Sequence, residues 1–166
     1  MNTEHIKMIL VLSVYTIFVG SVFIATAVGR WMVFKKMGLP GWKGIIPFYS
    51  EAVLFKTVWT IKMFWAYFSL FFCYLMICAA VFALGMSGWL YNRDGTVTVL
   101  LFLLTIFVLW GILAAIFVIL FKMNNRLARA FGRIPGFAVG LTFIPPVFFI
   151  VLGVGKSEFD LKRRSV

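Results

Sequence analysis

Hydrophobic and polar positions in this chain segregate into long blocks. Three apolar runs, roughly residues 6–28, 63–84 and 97–121, are each long enough for a helix to cross a hydrocarbon core of about 30 Å at about 1.5 Å per residue. A fourth, 137–154, reaches only about 27 Å on the same rise. Pro145-Pro146 interrupts it and removes two backbone donors. The favoured reading is a kinked fourth span; the alternative is a re-entrant hairpin, whose irregular backbone needs protein around it. The pattern predicts an all-α integral membrane helical bundle of four hydrophobic segments, residues 1–166 forming a single transmembrane domain.

The polar blocks set the orientation. Arg30, Lys35, Lys36, Lys43, Lys56 and Lys62 lie between the first two runs against one acid, Glu51, with Trp31 and Trp42 as interfacial aromatics. Pro40 and Gly41 break any helix from the first run, Pro47 makes Ile46 favour an extended conformation, and Gly38 belongs to the same structural loop. Residues 38–50 therefore read as a turn with a partly embedded short segment, and 51–62 as an amphipathic approach to the second span. Residues 85–96 carry only Arg93 and Asp94 as charges and read as an outside loop. By the positive-inside rule the basic connections are cytoplasmic and the N-terminus is outside. A spanning fourth run would then put the tail's Lys156, Lys162, Arg163 and Arg164 on the disfavoured side. The first run resembles a signal peptide at Ala25-Thr26-Ala27, but its apolar stretch is too long for an h-region, so a retained helix is expected.

After the third run, Lys122, Arg126, Arg129 and Arg133 fall at i, i+4, i+7 and i+11, which makes one helix face basic. Together with Lys35, Lys36 and Lys43 this face is expected to meet anionic lipid headgroups or a partner. Small-residue steps at Ser21–Ala25–Gly29, Gly111–Ala115 and Gly136–Gly140 would let a helix of a membrane partner, or of a second copy, approach closely.

Composition narrows the functions. At 63% hydrophobic, 13% charged and a mean hydropathy of +1.05, the chain lacks the polar surface of a soluble domain. Its net charge of +11 could speak for nucleic acid, but the basic residues sit in short segments between apolar runs rather than on a soluble surface. Cys73 and Cys78 point to different helix faces, too far apart for a disulfide, and read as buried packing residues. His5 is alone and no span carries an acidic pair, so no catalytic residue, cofactor or metal site is expected. Glu51 is expected to pair with Lys43, Lys56 or Lys62 at the interface, and Trp110 to pack.

The two proline- and glycine-rich connections look related. One reads Phe34-Lys35-Lys36-Met37-Gly38-Leu39-Pro40-Gly41-Trp42, then Gly44 and Ile46-Pro47-Phe48; the other reads Ala130-Phe131-Gly132-Arg133-Ile134-Pro135-Gly136-Phe137, then Gly140 and Ile144-Pro145. A two-fold repeat of residues 1–84 and 97–155 is the corresponding expectation, and paired interrupted segments of this kind mark binding sites in some transporters. The first signature, continued by Ile46-Pro47-Phe48-Tyr49, and the run from Leu127 to Pro146 resemble a bacterial family of small polytopic membrane proteins of unknown function. That family is frequently labelled "signal peptidase I". Its members usually carry Asn where Ser50 stands and Leu-Gly-Phe-Gly where this chain has Leu152-Gly153-Val154-Gly155. The resemblance implies a fold and a bacterial cytoplasmic membrane, and no established activity.

A signal peptidase needs a serine activated by a neutral lysine on the outer side. The lysine-rich loops read as cytoplasmic, and Ser87 is the outside loop's serine. The expectation is a non-catalytic accessory or scaffold subunit of a membrane or secretion system. The alternatives are a lipid- or amphiphile-handling or self-protection protein, a small transporter, and last a membrane peptidase.

Overall fold

The computed structural model describes residues 3–86 and 95–160. The expected outside loop, with Ser87, Trp89, Tyr91, Arg93 and Asp94, and the tail's Lys162, Arg163 and Arg164 lie outside the described residues. The described chain is all-helical: α1 (Thr3–Lys36), a 3-10 turn (Gly41–Gly44), α2 (Tyr49–Val58), α3 (Ile61–Met86), α4 (Gly95–Ala130), α5 (Pro135–Phe143) and α6 (Pro145–Val154). Among the described residues, α1, α3 and α4 are long and apolar enough to cross a membrane. These are the three predicted spans, with α4 carrying straight on through the basic stripe.

α1 and α4 stop in the same way. Gly38 and Gly132 adopt left-handed φ values of 72° and 67°. The amide of Leu39 then donates to the Phe34 carbonyl at 2.9 Å and that of Gly38 to Lys35 at 3.1 Å. At the second end Arg133 donates to Ala128 at 2.9 Å and Gly132 to Arg129 at 2.8 Å. Both are Schellman motifs, in which a residue without a Cβ takes the αL position and the last carbonyls are satisfied. Helix α1 thus ends before Pro40, at the glycine rather than at the proline.

The fourth apolar run is not a kinked span. Pro145 and Pro146 occupy the first positions of a new helix, α6, where missing N–H groups cost nothing because those donors would be unsatisfied anyway. Helix α5 runs back along α4, bringing Phe143 to 5.4 Å from the Phe117 ring. The chain then reverses at Ile144, and Phe148 packs edge-on to Phe137 at 4.9 Å and over Gly140. Helix α6 returns beside α1, with Phe149 at Gly29 and Gly153 at Met32. The amide of Asp160 donates to the Ala130 carbonyl at 2.8 Å, so the hairpin begins and ends at one end of the bundle. Nine and ten residues rise about 14 and 15 Å, roughly half a hydrocarbon core each.

The first connection makes a shorter hairpin of the same kind. The 3-10 turn lies on α1, close enough that a Cβ on Gly44 would fall 2.9 Å from the Arg30 carbonyl. Phe48, at φ 61°, reverses the chain, and the Tyr49 amide donates to the Pro47 carbonyl at 2.7 Å across a tight, strained turn. The Phe48 ring rests on Phe68 and Phe71, and Phe55 rests on Phe64 and Tyr67, so α2 runs antiparallel to α3. Residues 51–62 are therefore mostly a core helix rather than an interfacial approach: Leu54, Phe55 and Val58 are fully buried. The core gathers at this end, where Val33, Phe34, Leu54, Phe55, Leu127, Ala128, Leu141 and Leu152 are all buried.

Two packing expectations fail. Trp110 is 68% exposed on the outer face of α4, and Cys73 is also exposed, with Cys78 only half-buried. In an apolar solvent such side chains need no protein cover.

Candidate functional site

The polar centre of the fold joins α1 to α2. The Arg30 guanidinium donates to the Ser50 hydroxyl at 2.7 Å and pairs with the Glu51 carboxylate. The two charged side chains are 18% and 16% exposed, and Ser50 is fully buried. The face of Phe149, on α6, lies 5.2 Å from the guanidinium carbon. The second hairpin thus covers a pair formed by the first. Glu51 pairs with Arg30 and not, as expected, with a nearby lysine. Sequence reasoning passed over Arg30 and Ser50, yet a single acid beside a membrane-buried segment must find its cation among the helices around it. Arg30 Nε and the second Glu51 oxygen are buried without protein partners.

A neutral counterpart joins α4 to α5. The Asn124 amide donates to the Thr142 hydroxyl at 3.0 Å, which donates to the Ala138 carbonyl at 2.8 Å. Asn124 is nearly fully buried and was not singled out from sequence.

The expected lipid contacts divide. Lys36 turns inward and donates to the carbonyls of Leu152 at 3.0 Å and of Gly155, with a longer reach to Ser157. It caps the C-terminus of α6, where a cation meets the negative end of the helix dipole. Lys35 is exposed beside the Trp31 ring and Lys43 lies near Trp42. On the α4 stripe Lys122 is exposed, while Arg126 sits 4.8 Å over Trp59 and Arg133 lies 5.6 Å from the Phe137 ring. Arg126, Arg129 and Arg133 are all half-buried, so the stripe is partly drawn into the fold.

The loop residues hold backbone positions. Pro40 precedes the 3-10 turn, Gly41 lies against the Trp31 ring, and Trp42 stacks on Tyr49 at 6.2 Å. Pro135 opens α5, with Gly136 open beside it. Of the small-residue steps, Gly29 and Gly140 receive neighbours and Gly111 receives none. The hydroxyls of Ser13, Thr16, Ser69 and Thr105 all bond to carbonyls of their own helices. Among the described residues no three His, Cys, Asp or Glu side chains gather where they could hold a metal. No protein-family model, curated protein or solved structure matches this chain.

Proposed function

We propose that the chain is a non-catalytic, multi-pass accessory or scaffold subunit of a larger assembly in a bacterial cytoplasmic membrane. Its N-terminus is outside and its hairpin-bearing basic end is cytoplasmic. The observation that carries this reading is where the buried polar groups go. Arg30, Ser50, Glu51, Asn124, Thr142 and Lys36 each make at least one bond within the fold, and these bonds tie the hairpins to the long helices α1 and α4, although Arg30 Nε, one Glu51 oxygen and the Asn124 amide oxygen have no partner among the described residues. That arrangement suits a rigid platform. The span hydroxyls bonded to their own backbones also speak for a platform over a transport path lined by polar groups. The platform leaves α1 available: every residue from Thr3 to Val19 is exposed, while Gly29, Val33 and Phe34 are buried.

The test is photo-crosslinking in the chain's own membrane from a benzophenone amino acid at Phe18. A discrete adduct to one protein, absent when the probe sits at buried Phe34, supports the subunit reading. Adducts to lipid alone would remove it.

A further inference from the structure

We propose that the pocket between the first hairpin and the start of α3 is a binding site for one anionic phospholipid, with the headgroup phosphate held by Lys43 and Lys56. The cavity, about 580 Å3, is lined by these two lysines, the Tyr49 ring and an apolar wall that includes Leu39, Val53 and Ile61. No acidic residue lines it, and among the described residues neither lysine has a carboxylate within ion-pairing distance. Two ammonium groups above an apolar wall match an amphiphile with an anionic head and a hydrocarbon body. A soluble phosphate would leave the apolar wall uncovered.

The surroundings place such a molecule at headgroup depth. Trp42, stacked on the pocket's Tyr49, is about half exposed, Ile61 is exposed on the pocket wall, and Ile45 and Ile46, just past the 3-10 turn, are exposed too. Exposed aromatic and aliphatic side chains beside lysines belong at a membrane interface. Lys43 and Lys56 come from separate elements, the 3-10 turn and α2, so the site exists only when the first hairpin is folded. This distinguishes it from the α4 stripe, whose cations follow one helix face.

The full chain reconstituted into vesicles tests this, with phosphatidylglycerol or phosphatidylcholine brominated on the acyl chain as the probe. The Trp42 fluorescence signal is taken as the difference from a Trp42→Phe chain. Brominated phosphatidylglycerol is expected to quench Trp42 with about thirtyfold preference over phosphatidylcholine. That figure takes about 1 kcal/mol per lysine and tenfold per 1.4 kcal/mol. Lys43→Gln with Lys56→Gln should abolish the preference, Lys43→Arg with Lys56→Arg should restore most of it, and Lys35→Gln with Lys122→Gln should leave it intact. If the double glutamine chain does not fold, Lys56→Gln alone should lose about fivefold. A preference that survives the glutamine variants, or falls equally in the Lys35 and Lys122 control, would overturn the site. Displacement by dissolved glycerol phosphate would overturn the lipid as its occupant.

Discussion

At the scale of single residues, the Arg30–Glu51 pair works as a latch with a steep penalty for being half-made. Removing one partner leaves the other charge buried, which costs about 3–5 kcal/mol. Arg30→Met alone should therefore lower the melting temperature of the purified protein far more than Arg30→Met combined with Glu51→Leu. A double variant as unstable as the single one would mean that the charges do not depend on each other. Ser50→Ala should cost about 1–2 kcal/mol, because the largely buried guanidinium loses one acceptor. The pair shows how far sequence reaches. A lone acid among cations was legible at Glu51, but every lysine near it in sequence is a plausible partner. The choice of Arg30 depends on the chain reversing at Phe48, and a bulky aromatic residue does not advertise a positive φ. Asn124 was less legible still, since its only signal is an amide two residues beyond Lys122, on the opposite side of a helix whose basic stripe drew attention to its other face.

At the scale of elements, the spans were readable because apolar length alone demands them, whereas the hairpins were not. A proline pair looks the same whether it kinks one helix or begins a second. What decides is the packing on either side: Gly140 accepts the Phe148 ring, and Gly29 accepts the α6 backbone. A Cβ on Gly29 would fall 2.8 Å from the Ile150 nitrogen, so α6 must move off α1 to admit it. Gly29→Ala is expected to cost about 1–3 kcal/mol as overpacking, and Gly20→Ala, with open space around it, almost nothing. Equal melting temperatures for the two would contradict the close crossing. At the helix ends, Gly38→Ala and Gly132→Ala should each cost about 1–2 kcal/mol, because both force a Cβ into the left-handed region. The two substitutions should act independently, since they terminate different helices.

At the scale of the whole molecule, the hairpin resolves a conflict of charge. A fourth span would have carried Lys156 away from the other basic residues; the hairpin brings it back, with Asp160 bonded to the end of α4. In a background where Cys73 and Cys78 are serine, Lys156→Cys and Lys62→Cys should react with an impermeant maleimide from the same side of sealed vesicles. Labelling from opposite sides would restore the kinked span. Helices α1 and α4 each end in a Schellman glycine and are followed by a hairpin; α6 packs on α1, and α2 packs on α3 and touches α4.

Lys36 and the end of α6 are 116 residues apart along the chain, and this sets an order in time. During synthesis, α1 leaves the ribosome with Gly29 uncovered and Lys36 without its carbonyls, and both stay so until α6 has been made. Helix α1 thus waits for α6, and a chain released after Phe143 should expose the inner third of α1 to proteolysis while α3 and α4 still pair. Quality control that clears chains with an open membrane helix would then read the arrival of ten residues, Pro145–Val154, as the sign that the bundle has closed.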